Sequence, residues 1–162
     1  MILRNGKRSM ETYAILDDGS ERTILLATAA QTLNLQGEPE DLALRTVRQE
    51  MRVIHGSSVS FSVSPACQPN RIFKISEAFT ADELGLAEHS YPLKMLQRIY
   101  NHLKGLPLQA LSQVHPVLLI GSDYPHLITL IEPVRLGPLG GPAAVRTRLG
   151  WTLQGPTKLV QQ

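Results

Sequence analysis

A period of two runs through the middle of this chain and commits it to β structure. Leu42, Leu44 and Thr46 alternate with Ala43, Arg45 and Val47. After a polar break at Arg48-Gln49-Glu50, Met51, Val53 and His55 alternate with Arg52 and Ile54. Gly56-Ser57-Ser58 reads as a turn, and Val59, Phe61 and Val63 then alternate with serines. Residues i, i+2 and i+4 share a face only when the backbone is extended. Wound as a helix, the same residues would scatter around the axis and bury no stripe. Shorter segments agree. Residues 1–3 and 12–16 read as strands around the Asn5-Gly6 turn signal. Residues 23–26, 72–75 and 117–120 are further apolar runs, the last closed by Gly121. After a Gly- and Pro-rich stretch from Glu132, residues 145–147 and 151–153 offer the last strands, within a C-terminal strand region at 143–156.

Two places break the period. Thr28 can cap a short helix through Asn34, with Ala29, Ala30 and Leu33 at helical spacing. Residues 80–112 change character more broadly. Thr80 and Glu83 have the spacing of a capping box. After Pro92, Leu93, Leu96, Ile99, Tyr100 and Leu103 recur as one face of an amphipathic helix, ended by Gly105 and Pro107. The expectation is a single mainly β domain over residues 1–162 with a helical insert at 80–112. Its 162 residues are enough for one real core.

Composition excludes several classes. No apolar stretch is long enough to span a bilayer. The start has Arg4, Lys7 and Arg8 but no apolar run behind them, so no secretory leader is expected. The one cysteine, Cys67, rules out an internal disulfide framework and fits a reducing, cytoplasmic setting. A net charge of +2 and an aromatic content of 5% are thin for nucleic-acid binding. The five histidines (His55, His89, His102, His115, His126) lack metal-ligand spacing, so no metal or other cofactor is expected. Residues 137–141 suggest a phosphate loop, but Pro138 and Pro142 remove the needed donors, and a linker is the better reading.

No zinc-protease helix, paired-cysteine motif, nucleotide loop or serine-hydrolase elbow occurs. What remains is Leu16-Asp17-Asp18-Gly19-Ser20. Two readings compete, and on local evidence alone the first is favoured. Asp-Gly between alternating hydrophobics is the signature of a type I′ hairpin turn. Alternatively, an apolar strand delivers a carboxylate onto a tight loop, where Gly19 permits an unusual backbone and Ser20 hydrogen-bonds the carboxylate.

The segment resembles the active-site strand and loop of retropepsins: a hydrophobic pair, Asp, Thr or Ser, Gly, and a small residue. Other features fall in the same order. Residues 1–15 resemble the hairpin before the catalytic loop, and residues 46–63 the flap hairpin that closes over substrate. Leu118-Leu119-Ile120-Gly121-Ser122-Asp123 is similar to the hydrophobic-hydrophobic-Gly element that crosses under that loop. Leu149-Gly150-Trp151-Thr152-Leu153-Gln154-Gly155 resembles the end of the peptidase region in Pao/BEL-type retrotransposon polyproteins. The resemblance implies a retropepsin-like acid-protease barrel, one lobe per chain. It makes Asp17 the catalytic residue in a loop with Asp18, Gly19 and Ser20. Val47, Arg48, Gln49 and Glu50 become flap residues, and Leu119, Ile120, Gly121 and Asp123 the loop support. Two departures stand out. Asp18 occupies the usual Thr or Ser position, and the flap tip lacks glycines.

An aspartic peptidase needs two carboxylates sharing one proton. Only one Asp-x-Gly loop is present, so the second must come from an identical chain across a two-fold axis. The implied partners are a second copy and an extended peptide, the element's own polyprotein, of which this chain resembles an excised piece. No membrane partner is expected. The rival expectation is an inactive dimeric binding or assembly module on the same fold.

Overall fold

The computed structural model describes residues 1–45, 50–84, 89–109 and 111–156. Its strands are β1 (Ile2–Asn5), β2 (Arg8–Glu11), β3 (Ala14–Leu16), β4 (Ile24–Leu26), β5 (Glu38–Arg45), β6 (Met51–Ser64), β7 (Phe73–Ala81), β8 (His89–Tyr91), β9 (Leu111–Val114), β10 (Leu118–Ile120), β11 (Ala143–Thr147) and β12 (Gly150–Gln154). Among the described residues three short α-helices intervene: α1 (Ala27–Thr32), α2 (Leu93–Ile99) and α3 (Pro125–Ile128). The fold is mainly β, built on a curled half-barrel sheet. That sheet has eight strands in the order β2-β1-β6-β7-β4-β10-β3, with β5 paired to β6.

The alternation read from the sequence is expressed in this sheet. Val59, Phe61 and Val63 on β6 point inward and are buried, while Ser60 is exposed. They join Leu3, Leu25, Leu33, Ile75, Ala78, Leu118 and Ile120 in the main core. Each large apolar side chain fully withdrawn from water contributes about 1.5–3 kcal/mol. The first hairpin turns at Gly6, whose φ of 60° suits a two-residue connection between Asn5 and Arg8. The chain then changes partner. Thr12 N–H still donates to the Met1 carbonyl, whereas β3 pairs in parallel with β10.

Several expectations are corrected. Gly56-Ser57-Ser58 is not a turn, since β6 runs straight through it. A Cβ at Gly56 would lie 2.3 Å from the Thr80 carbonyl oxygen and 2.6 Å from the Phe79 ring. The glycine therefore marks a close approach of β7. Thr80 caps no helix. It lies in β7, and its hydroxyl accepts the Ser57 N–H at 3.0 Å. Thr28 does not cap α1 either, because Leu26 holds that position without a side-chain bond.

The insert at 80–112 is mostly not helical. Its described part holds the end of β7, β8, the seven-residue α2, a 3-10 turn at Asn101–Leu103 and the start of β9. β8 and β9 form their own ribbon. Of the expected apolar face, Leu96 and Leu103 are buried but Ile99 is 55% exposed. The insert packs Leu96, Leu103, Leu106 and Leu108 on Ala144, Trp151 and Leu153 of the β11–β12 hairpin. It covers that hairpin and gives it a second small core. Residues 137–141 are not a linker. Gly137 and Gly141 sit against His102 and Tyr100, and His102 Nε2 lies 2.7 Å from the Pro142 carbonyl oxygen.

Candidate active site

Asp17 directly follows β3, and β4 begins seven residues later at Ile24. These two strands do not pair with each other. β10 lies between them, parallel to β3 and antiparallel to β4, so Leu119 faces Ile15 on one side and Ile24 on the other. A hairpin turn would place β3 against β4. The inserted strand excludes the type I′ reading of Asp18-Gly19.

The crossing is held by main-chain and side-chain bonds. Asp17 N–H donates to the Ile120 carbonyl at 2.9 Å, and Ser122 N–H to the Ser20 carbonyl at 2.7 Å. Ile120 is fully buried and Leu119 is 8% exposed. Gly121 comes so close to the loop that a Cβ would lie 2.5 Å from the Ser20 carbonyl oxygen and 2.9 Å from that of Arg22. Only glycine leaves room for this passage. Asp123 anchors the far end. Its Oδ2 accepts the Thr23 N–H at 3.0 Å and its Oδ1 the Thr23 hydroxyl at 2.7 Å. The buried Thr23 hydroxyl in turn accepts the Gly121 N–H at 3.1 Å.

Asp17 is half-buried. Its Oδ1 accepts the Gly19 N–H at 2.9 Å, a local turn bond common to Asp residues. That bond fixes the rotamer and leaves the second oxygen without a partner among the described residues. Gly19 does not adopt a positive φ. Its requirement is modest: a Cβ would lie 3.2 Å from Asp17 Oδ1. Ser20 does not bond the carboxylate, as its hydroxyl donates to the Arg22 carbonyl at 2.8 Å. Asp18 is exposed, and the nearby Arg22 is engaged elsewhere.

Arg22 ties the loop to the β5–β6 hairpin. Its guanidinium donates both ways to Glu40 on β5, at 2.7 and 2.8 Å. The bond to Arg22 holds the Glu40 carboxyl below its ordinary value, and the same bond raises Arg22. The face of β5 that carries Glu40 therefore looks toward the Asp17 loop. The tip of this hairpin falls largely outside the described residues, including Val47, Arg48 and Gln49. Glu50 is described and is exposed.

The structure thus brings Asp17, Asp18, Gly19 and Ser20 together over Leu119, Ile120, Gly121 and Asp123. Sequence reasoning did not single out Thr23 or Glu40. A lone Thr before an apolar run carries no local signal. The Arg22–Glu40 pair spans 18 positions with no helical or hairpin register to announce it. Known protein families, curated proteins and solved structures were compared with the chain, and none matches it.

Proposed function

We propose that this chain is one half of a homodimeric aspartic endopeptidase of the retropepsin type, with Asp17 as its catalytic carboxylate. One observation carries the reading: β10 inserts between β3 and β4, so the loop bearing Asp17 is pinned from beneath rather than turned back as a hairpin. Such support matters because a catalytic carboxylate must be held within a fraction of an ångström of its working position. The Asp17 rotamer fixed by Gly19, and the loop end fixed by Thr23 and Asp123, supply it.

In the proposed dimer the Asp17 carboxylates of two protomers meet at the two-fold axis and share a proton. One accepts a proton from the attacking water. The other, protonated, donates to the scissile carbonyl oxygen as it takes on charge. The substrate lies extended beneath the β5–β6 hairpin, whose base is tied to the loop by Arg22 and Glu40. A polyprotein of the parent retroelement is the natural substrate on this reading.

The test is hydrolysis of a peptide library by the purified chain and by Asp17→Asn. The expected outcome is cleavage by the parent chain, inhibition by a transition-state mimic, and no cleavage by an Asp17→Asn protein that still unfolds cooperatively. Cleavage that survives Asp17→Asn, or no cleavage by a dimeric parent chain, overturns the proposal. The second of these results points to the rival binding module.

A further inference from the structure

A groove of about 460 Å³ runs along β3 on the side away from β10. Its volume lies within the roughly 300–1,000 Å³ typical of small-ligand sites. Residues 12–16 form one wall and residues 149–154, including all of β12, form the other. Ile128 and Leu130 add apolar lining.

Both walls are strand edges. β3 pairs only with β10, and β12 only with β11, among the described residues. Just before β3 the Tyr13 carbonyl accepts from Val117 N–H, and just after it Asp17 N–H donates to the Ile120 carbonyl. Residues 13 and 17 thus turn their main-chain groups toward β10. Successive residues of a strand point these groups to opposite sides, so those of Ala14 and Leu16 turn into the groove. Open edges of this kind pair readily with an added strand. The side chain of Tyr13 bonds that of Thr152, which ties the two walls at one point.

The charge of the groove limits what can enter. Among the described residues, Asp18 is the only charged side chain lining it. Phosphate-rich ligands find no cationic side chain among its described residues, which argues against nucleic acid. An occupant carrying a cationic side chain near Asp18 and apolar side chains elsewhere matches the lining. At about 3.3 Å per residue, the five residues of β12 fit a segment of roughly five residues.

We propose that this groove receives an extended peptide segment as an added strand between β3 and β12, with a lysine or arginine of that segment beside Asp18. Asp17 does not line the groove, so this site is distinct from the proposed cleavage site and stands or falls separately.

Trp151, the chain's single tryptophan, lines the groove and reports occupancy through its emission. The experiment titrates Asp17→Asn protein, so that no peptide is consumed. The peptides are blocked hexapeptides of alternating valine and threonine with a lysine at either end, their glutamate counterparts, and backbone N-methylated versions. The expected result is a saturable emission change, with a lysine peptide binding at least about tenfold more tightly than its glutamate counterpart and no response to the N-methylated forms. Adding Asp18→Lys should reverse the charge preference. Adding Ala14→Pro, which removes a groove-facing N–H without touching the bonds to β10, should weaken binding of both. The proposal is overturned by binding that ignores peptide charge, by equal binding of N-methylated peptides, or by no binding at all. It is also overturned if concentrating the protein alone produces the emission change together with dimers in sedimentation. In that case a second copy fills the groove.

Discussion

Gly121→Ala should be among the most damaging single-methyl changes in this protein, and its size follows from the crossing of β10 under the Asp17 loop. The new Cβ would lie 2.5 Å from the Ser20 carbonyl oxygen, about 0.9 Å short of the 3.4 Å at which ordinary contact begins. It would also lie 2.9 Å from the Arg22 carbonyl oxygen. Both are backbone atoms, so no side chain can rotate away. Overpacking of a well-filled site costs about 1–3 kcal/mol. Moving β10 away also strains two bonds, Gly121 N–H to Thr23 Oγ1 and Ser122 N–H to the Ser20 carbonyl, each worth about 0.5–1.5 kcal/mol. The expected loss is about 3–4 kcal/mol. For a chain of this length that lowers Tm by roughly 6–16 °C.

The assay is urea unfolding followed by Trp151 emission, with Gly19→Ala as the internal comparison. Gly19 has no positive φ, and its new Cβ would meet only a carboxylate oxygen at 3.2 Å. That is about 0.2 Å inside ordinary contact and involves the far end of a side chain, which can give by that much within its rotamer, so Gly19→Ala should change stability by less than about 1 kcal/mol. If the two substitutions cost the same, β10 does not pass closely beneath the loop and the Asp17 carboxylate is not pinned from below.

Three further outcomes are expected. Glu40→Gln should cost about 1 kcal/mol at pH 7, because the bidentate pair with Arg22 is only partly exposed. Since Glu40 is held below its ordinary value of 4.5, the difference between parent and variant should vanish as pH falls below 4.5 through the lowered folded value. It should stay constant above that window in denaturation curves taken across pH. Burial raises the Tyr13 phenol above its ordinary value of 10.0, partly offset by its bond to Thr152. Stability should therefore drop as pH climbs past 10, and Tyr13→Phe should flatten that drop, as read by chemical denaturation at pH 8–11. On the peptidase reading, hydrolysis per chain should fall on dilution as dimer gives way to monomer. Linear rates down to nanomolar protein indicate instead a very tight dimer or a monomeric site.

What the sequence made legible was whatever a short window encodes. The alternation around Val59, Phe61 and Val63 located β6 and its buried face, because the side-chain period of a strand is local. Leu118, Leu119 and Ile120 were legible as a fully buried strand for the same reason: a short apolar run fits a strand covered on both faces. Glycine is the hardest residue to place from a window. Gly56-Ser57-Ser58 has the composition of a turn and Asp18-Gly19 that of a strained loop, yet neither glycine has a positive φ. Gly56 is needed because Phe79 and the Thr80 carbonyl press against it. A window around residue 56 contains no trace of residues 79 and 80. Thr80 failed in the mirror-image way. Its spacing to Glu83 satisfied a helix-capping pattern, but pairing with Leu25 and the bond from Ser57 N–H outweighed that local preference.

The candidate site divides along the same line. The Asp17 loop could be found from five consecutive residues, yet those residues alone favour a hairpin turn over a catalytic loop. What separates the two is a strand nearly a hundred residues later that enters between β3 and β4. Thr23 shows the limit most clearly. Its hydroxyl donates to Asp123 and accepts from Gly121 N–H, so it joins both ends of the crossing through contacts 98 and 100 positions away. Removing that hydroxyl by Thr23→Val would leave the Gly121 N–H and an Asp123 oxygen short of partners in a largely buried place. An unmet buried polar group costs about 1–3 kcal/mol, and the cost falls where Asp17 is positioned. The loop's rigidity is thus a property of a long-range knot of bonds, and no reading of the loop's own residues could have supplied it.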